Sequence, residues 1–337
     1  MKNTVLFRER EKLLKVLDGA WGTIGPEFLA ANEELAAFAG CKKALCVFSA
    51  SAALETVLRA HNIGRGDEVI VAAWSDPVDS MTCAAVGAVP VFADVDEKTL
   101  TLPVSSVETA LTERTRAVIA DLPGGNPCDA PALSSFCRKN GLLFIINLSD
   151  CWGTEAGGRK IRKYADAAFA DFGDGRLADA GLAGAVLTDD ADAFEKYYAY
   201  HNCGRPQNAG ASLSFDAILG GDLRIAEWQC SLIRSRISLI PERLSECRAE
   251  SARVSEQISP VAVVPGGVSS RRGTLVAGEK IAGLRYEPCF ELMSDAPLWN
   301  EEYYLKCTGA GKTEPGSFPV SRFASENAFL AYPVEKE

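Results

Sequence analysis

Asp76, Asp150, Asp171 and Asp222 are the residues from which a site for a hard divalent cation could be assembled, because such a cation takes oxygen ligands. Arg176 stands beyond Asp171 and weighs against that reading: a guanidinium is permanently charged and would claim a carboxylate for itself. His61 and His201 are the two histidines of the chain, so neither a histidine-based metal centre nor a Ser-His-Asp triad is expected. His61 ends a predicted helix and reads as a surface or capping residue. His201 opens the run HNCGR. The run GAGKT, Gly309 to Thr313, ends like a phosphate-binding loop. The full pattern needs a glycine where Lys306 stands, and no apolar strand precedes it, so it is set aside.

The elements that must position these groups alternate. Pro26 to Gly40 has helical periodicity through Phe28, Leu29, Leu35 and Phe38. Ala44 to Phe48 is a short apolar strand, and Ser49 caps a helix running to about His61. Strands follow at Glu68 to Ala72, Val89 to Val95, Ala117 to Leu122 and Leu142 to Asn147. Helices lie between them at Pro77 to Val86, Val107 to Leu111 and Ala130 to Asn140. This alternation predicts a mostly parallel sheet with helices on both faces. Right-handed crossovers would gather the loops at the strand C-termini, where ligands bind. A long helical stretch from Leu223 to about Ile258, broken near Pro241, precedes a weaker pattern. Pro265 to Gly283 is rich in Gly and Ser, and Cys307 to Ser317 is a polar loop. The expected division is an N-terminal segment, 1–22, packing on the small domain, a large domain, 23–245, and a small α+β domain, 246–337.

Hydrophobic residues make up 47% and charged residues 24%, as in an ordinary globular chain. A net charge of −10 disfavours nucleic acid and anionic membranes as partners. Eleven cysteines without a CxxC spacing read as buried free thiols of a cytoplasmic protein. The start, MKNTVLFREREKLL, has no apolar run long enough for a signal peptide, and no segment reaches the length of a membrane span.

Several segments together resemble the DegT/DnrJ/StrS aminotransferases. Gly25-Pro26-Glu27 resembles the family's N-terminal signature, and Ser49 to Leu54 (SASAAL) its Ser-Gly-Thr-Ala-Ala-Leu. Gly64 to Val71 (GRGDEVIV) and Val86 to Asp96 (VGAVPVFADVD) match closely. Thr112 to Asp129 resembles the segment ending in a Gly-Gln-Pro-Ala-Asp turn. Phe172, the Gly181–Gly184 turn and the strand Ala185 to Thr188 fall into register with the catalytic segment. Arg224 matches the arginine of a Gly-x-Asn-x-Arg motif, His201 lies in a loop near the active site, and Gly316 to Val334 resembles the near-terminal segment. The resemblance implies an α/β fold, a fold-type I PLP-dependent transferase-like three-layer sandwich. It also implies a homodimer with active sites at the subunit interface and amino-group transfer to nucleotide-linked keto sugars.

The cofactor positions that the resemblance marks depart together. The lysine that would form a Schiff base with pyridoxal phosphate is Arg176, and a guanidinium is no amine nucleophile. The acid expected at the pyridine nitrogen is Asn147, and the stacking aromatic is Asp76. The Gly-Thr pair whose amides would meet the phosphate at a helix N-terminus is Ala50-Ser51. The serine beside Phe172 is Asp171, and the asparagine that reaches across the dimer is Asp222; Asp150 completes the positional set. Two carboxylates facing a dianionic phosphate cost roughly 4 kcal/mol per charge pair at 4 Å, against about 1 kcal/mol from an ordinary hydrogen bond. An internal ion-pair network in which Arg176 balances Asp171 and Asp76 is therefore expected in the old site, with no cofactor. The functional expectation is a homologue that has lost transamination and acts as a scaffold, or as a non-catalytic subunit beside an active paralogue, in a sugar or secondary-metabolite pathway. The alternatives are a PLP-binding aminotransferase or dehydratase acting on a nucleotide-linked keto sugar, and a binding protein for a cationic small molecule.

Overall fold

The computed structural model describes residues 7–19, 22–173, 175–207, 219–258, 274–277, 280, 284–310 and 317–333. In chain order the elements are α1 (Phe7–Asp18), α2 (Pro26–Ala39), β1 (Lys43–Val47), α3 (Ala50–Ala60), β2 (Glu68–Ala72), α4 (Pro77–Ala85), β3 (Val89–Ala93), α5 (Val104–Ala110), β4 (Thr115–Ala120), α6 (Ala130–Lys139) and β5 (Leu143–Asn147). There follow β6 (Glu155–Ala156), β7 (Arg159–Lys160), β8 (Ala167–Asp171), β9 (Gly184–Thr188), α7 (Ala191–His201), α8 (Glu227–Ile237), α9 (Ile240–Ile258), β10 (Thr274–Ala277), β11 (Leu284–Pro288), α10 (Glu302–Thr308), α11 (Pro319–Asn327) and β12 (Ala328–Pro333).

Seven strands form one sheet in the order β1-β9-β8-β5-β4-β2-β3. β2 pairs in parallel with β3 and β4, and β4 with β5, whereas the edge strand β1 runs antiparallel to β9. β2 is buried along its whole length, as a strand covered on both faces must be. The sequence starts the helices in ways chemistry recognises: Ser49, Asp76, Asp129 and Asp190 accept a backbone N–H at the first turn of α3, α4, α6 and α7. The last segment adds an antiparallel sheet in the order β10-β12-β11, with α10 and α11.

Contacts divide the chain into two compact units, Met1–His61 with Phe169–Glu242, and Asn62–Ala168 with Arg243–Glu337. In the first unit α1 lies against α8, where Arg236 donates to Glu9 and Lys12 to Ser235. In the second, Asp94 at the end of β3 accepts from the Val320 and Ser321 N–H groups and so caps α11.

The long helical stretch differs from its expected form. Leu223 to Ala226 is extended, bridging through Asp222 to Asn202 and through Ala226 to Thr23, and the break falls at residues 238–239. Pro241 sits in the first turn of α9, where a missing N–H costs nothing. β10 forms inside the Gly- and Ser-rich stretch 265–283; the rest of that stretch, save residue 280, lies outside the described residues, as do Gly311 to Thr313 of GAGKT. All eleven cysteines are free, and burial pushes the Cys46 thiol up to about 12. Among the described residues no helix is long and apolar enough to cross a membrane.

Candidate functional site

The first unit holds the segment around Arg176. β8 ends at Asp171, and Phe172 both donates its N–H to Ala183 and accepts from Ala180, which closes a turn between β8 and β9. Inside that turn Asp171 Oδ1 accepts the Gly173 N–H at 2.8 Å, and Oδ2 accepts from Arg176 Nε at 2.9 Å. The Arg176 side chain is 6% exposed and that of Asp171 22%. Arg176 is thus a buried partner of the carboxylate that stands where the resemblance puts a serine. A cation at the end of this strand pairs with an acid five residues before it.

Behind the turn, Gly184 opens β9 against the start of α3. A Cβ there would lie 2.4 Å from the Ser49 carbonyl, so only glycine fits. Ala50 is buried and Ser51 exposed at the first turn of α3. Among the described residues their N–H groups have no acceptor, since Ser49 takes the N–H of Ala52. The helix start keeps the form of an anion site.

The run His201 to Arg205 and the Gly220–Arg224 loop are brought together. Cys203 donates to Gly221, Gly221 to Tyr200 and Leu223 to His201 through the backbone. Gly220 is forced, because a Cβ would meet Gly204 N at 1.9 Å. Asp222 accepts from Arg224 Nε at 2.7 Å and Nη2 at 3.0 Å. That hydrogen bond holds the Asp222 carboxyl below its ordinary range. His201 is fully buried, stacks on Phe28 at 5.9 Å, and pairs Nδ1 with the Tyr198 carbonyl. Burial pulls it down to about 4, so it is neutral in the fold. His61 caps the C-terminus of α3, as expected, and bonds Tyr197.

The second unit holds Asp76, Asn147 and Asp150. Asp76 is the N-cap of α4, accepting from the Val78 N–H, while its own N–H goes to Asp121. Its carboxylate therefore has a structural duty at the place where an aromatic was expected. Asn147, at the end of β5, is buried. Its Oδ1 accepts from the Ser149 N–H at 3.0 Å and the Ser149 hydroxyl at 2.5 Å, and its Nδ2 donates to Asp79 Oδ1 at 3.1 Å. Asp150 is buried in the turn that follows and helps raise the neighbouring Cys151 thiol, after burial itself and Asp121.

Two residues of these settings were missed in the sequence. Asp79 could have been found as an acid one turn before Cys83 on the buried face of α4. Glu227 accepts the N–H groups of Gly25, Glu27 and Phe28 and so caps α2 from another helix. The signal was a helix beginning Gly-Pro, with no side chain of its own at the cap. Among the described residues no group of three His, Cys, Asp or Glu could hold a metal ion.

These side chains do not fit pyridoxal phosphate as the resemblance would hold it. Position 176 has no amine and its guanidinium is engaged, and a carboxylate stands at 171.

Comparison with known proteins agrees with the architecture. The solved structure of 3-amino-5-hydroxybenzoic acid synthase superposes with a TM-score of 0.85 at 24% identity, covering 96% of this chain and 90% of that one. In sequence, the 3-amino-5-hydroxybenzoate synthase of Amycolatopsis mediterranei (strain S699) is 29% identical over 83% of this chain and 74% of its own length. The spore coat polysaccharide biosynthesis protein SpsC of Bacillus subtilis (strain 168) is 35% identical over 56% of this chain, and the match spans about half, 48%, of that relative. The sequence profile of the DegT/DnrJ/EryC1/StrS aminotransferase family matches residues 6–269, and the chain belongs to that family.

Proposed function

We propose that this chain is a family member that has left PLP-dependent transamination and serves as a scaffold or non-catalytic subunit in the making of an amino sugar or a secondary metabolite. The observation that carries the reading is the buried Arg176–Asp171 pair. A guanidinium cannot form the covalent link to the cofactor, and its counter-ion occupies a position where phosphate would need a donor. The pathway class comes from the names of the relatives, an aminohydroxybenzoate synthase and a polysaccharide biosynthesis protein. We place the protein in the cytoplasm as a homodimer, or paired with an active paralogue. Phe48, Leu182 and Trp228 are exposed; the Phe48 N–H donates to the Leu223 carbonyl, and the Gln229 side-chain amide donates to the Leu182 carbonyl. Exposed apolar side chains such as these suit a subunit contact.

The test is a titration with pyridoxal phosphate followed by borohydride reduction. The expected result is an absorbance no different from free cofactor and no lysine labelled in stoichiometric yield. Specific labelling of one lysine would overturn the reading. Light scattering checks the dimer, and a monomer at micromolar concentration would refute it. A second reading, that the chain still binds a phosphate-bearing ligand without the covalent link, is favoured by the start of α3, where the Ala50 and Ser51 N–H groups have no acceptor among the described residues. It predicts a rise in melting temperature with pyridoxal phosphate in the absence of labelling.

A further inference from the structure

We propose that Asp79 is the residue that fixes a neutral amide at position 147 and excludes a carboxylate there. An asparagine amide has an accepting end and a donating end. Its oxygen has two lone pairs and its nitrogen two N–H donors. The Ser149 backbone N–H can only donate, so the atom of Asn147 facing it is the oxygen, and the amide orientation follows from the network. The Ser149 hydroxyl takes the second lone pair. Nδ2 then points at Asp79 Oδ1, 3.1 Å away, with both side chains about 1% exposed. Asn147 therefore has no acceptor left for an outside N–H donor. The nitrogen end is bound to an acid that a second acid could not approach without cost.

The inference rests on the reading that this site has left cofactor chemistry, and it says why one reversal cannot restore it. Asn147→Asp is nearly isosteric, but it would set two carboxyl oxygens about 3 Å apart in a buried place. Two acids so placed share one proton, and one of them titrates well above its ordinary range. Other titratable groups lie around Asp79. Cys83 on the same helix is raised by burial and by Asp79, and Tyr304 of α10, beside Cys83, is pushed up to about 12. Asp76 and Asp121 are joined to each other through the Asp76 N–H, and Asp150 is a further acid. Of the strands packed on α4, β3 carries no titratable group, and β2 carries Glu68 at its other end, paired with Arg114. Glu302 and Lys306 of α10 pair at the surface.

The experiment follows thermal unfolding of the full chain between about pH 5.5 and about pH 8. The variants are Asn147→Asp, Asp79→Asn and the two combined. A raised acid is protonated at low pH, so the stability of Asn147→Asp is present in acid and lost as pH rises. The expected midpoint lies several degrees below wild type near pH 8 and recovers near pH 5.5. Asp79→Asn in the same chain removes both the deficit and its pH dependence. If Asn147→Asp does not fold near pH 8, recovery of soluble protein on adding Asp79→Asn is the same result. A pH-flat Asn147→Asp variant as stable as wild type, or one that Asp79→Asn fails to rescue, overturns the proposal. No cofactor enters these measurements, so they hold or fail independently of the spectral titration.

Discussion

Glu227 and Asp171 are both carboxylates that accept backbone N–H groups, and they teach different lessons. Glu227 collects the N–H groups of Gly25, Glu27 and Phe28 across a separation of about two hundred residues. Asp171 collects the N–H of Gly173 and the guanidinium of Arg176, all within five residues. The first tie joins α8 to α2, and the Gly-Pro-Glu run it serves is one of the segments that carries the family resemblance. The second is a short-range contact, between residues five apart in one turn. The fold is kept where distant segments depend on one group, and the chemistry has drifted where a local pair suffices.

The largest effect should come from cutting the distant tie. Glu227→Ala leaves three N–H groups at the start of α2 without an acceptor, and the cap residue Gly25 has no side chain to replace it. Hydrogen bonds to a charged acceptor contribute about 1.5–3 kcal/mol each, and water will recover part of the loss. The expected cost is about 3–5 kcal/mol by urea unfolding. A midpoint unchanged from wild type would erase the distinction drawn between the two carboxylates.

Breaking the local pair should cost less. Arg176→Met strands Asp171, but that side chain keeps 22% exposure and can turn to solvent. The loss should be about 1–3 kcal/mol, below the range for fully buried pairs. Adding Asp171→Ser should restore most of it, because the serine leaves no carboxylate that needs the guanidinium. Arg176→Lys should give no half-transamination with glutamate, since Asp171 and Asn147 remain. Clear turnover by that single variant would end the non-catalytic reading.

Much of this was legible in the sequence for a stated reason. Helix starts at Ser49, Asp76, Asp129 and Asp190 are local events, and each side chain caps within three residues. Arg176 with Asp171 is likewise local, and the expected ion pair is there. What stayed hidden is what the chain brings from afar. One local pair was hidden too: Asp222 takes Arg224 as its partner, two residues on. Glu227 caps a helix it does not belong to, and Asp79 meets Asn147 across 68 residues. A parallel sheet assembles such pairs from segments whose separation leaves no periodic trace.

His201 sharpens the same comparison, since it stacks on Phe28 of the helix that Glu227 caps. Burial, more than the nearby Arg224, lowers it to about 4, against an ordinary value of 6.5. The unfolded chain therefore takes up a proton that the fold refuses. Stability should fall as pH drops from about 6.5 toward 4, by about 2 kcal/mol between pH 7 and pH 5. Denaturant unfolding of wild type and His201→Gln at both pH values checks it. The same slope in the variant would assign the effect to other groups.

The smallest effect belongs to Asp222. Its carboxyl, 62% exposed, is bound by Arg224, which is 29% exposed. The lowered carboxyl contributes stability above its unfolded value near 4 and loses it as pH falls through the folded one. Solvent screens a pair so exposed, so Asp222→Asn should cost less than about 1 kcal/mol near pH 7 and nothing measurable near pH 3 or in molar salt. That small number is a property of the single chain. If the proposed dimer covers the Gly220–Arg224 loop, the same pair is desolvated and the variant becomes costly, because Arg224 is left buried with no counter-ion. A loss above about 2 kcal/mol that vanishes when the protein is diluted to monomer would move Asp222 from the class of Asp171 to that of Glu227: a carboxylate kept because another segment, here of a second subunit, depends on it.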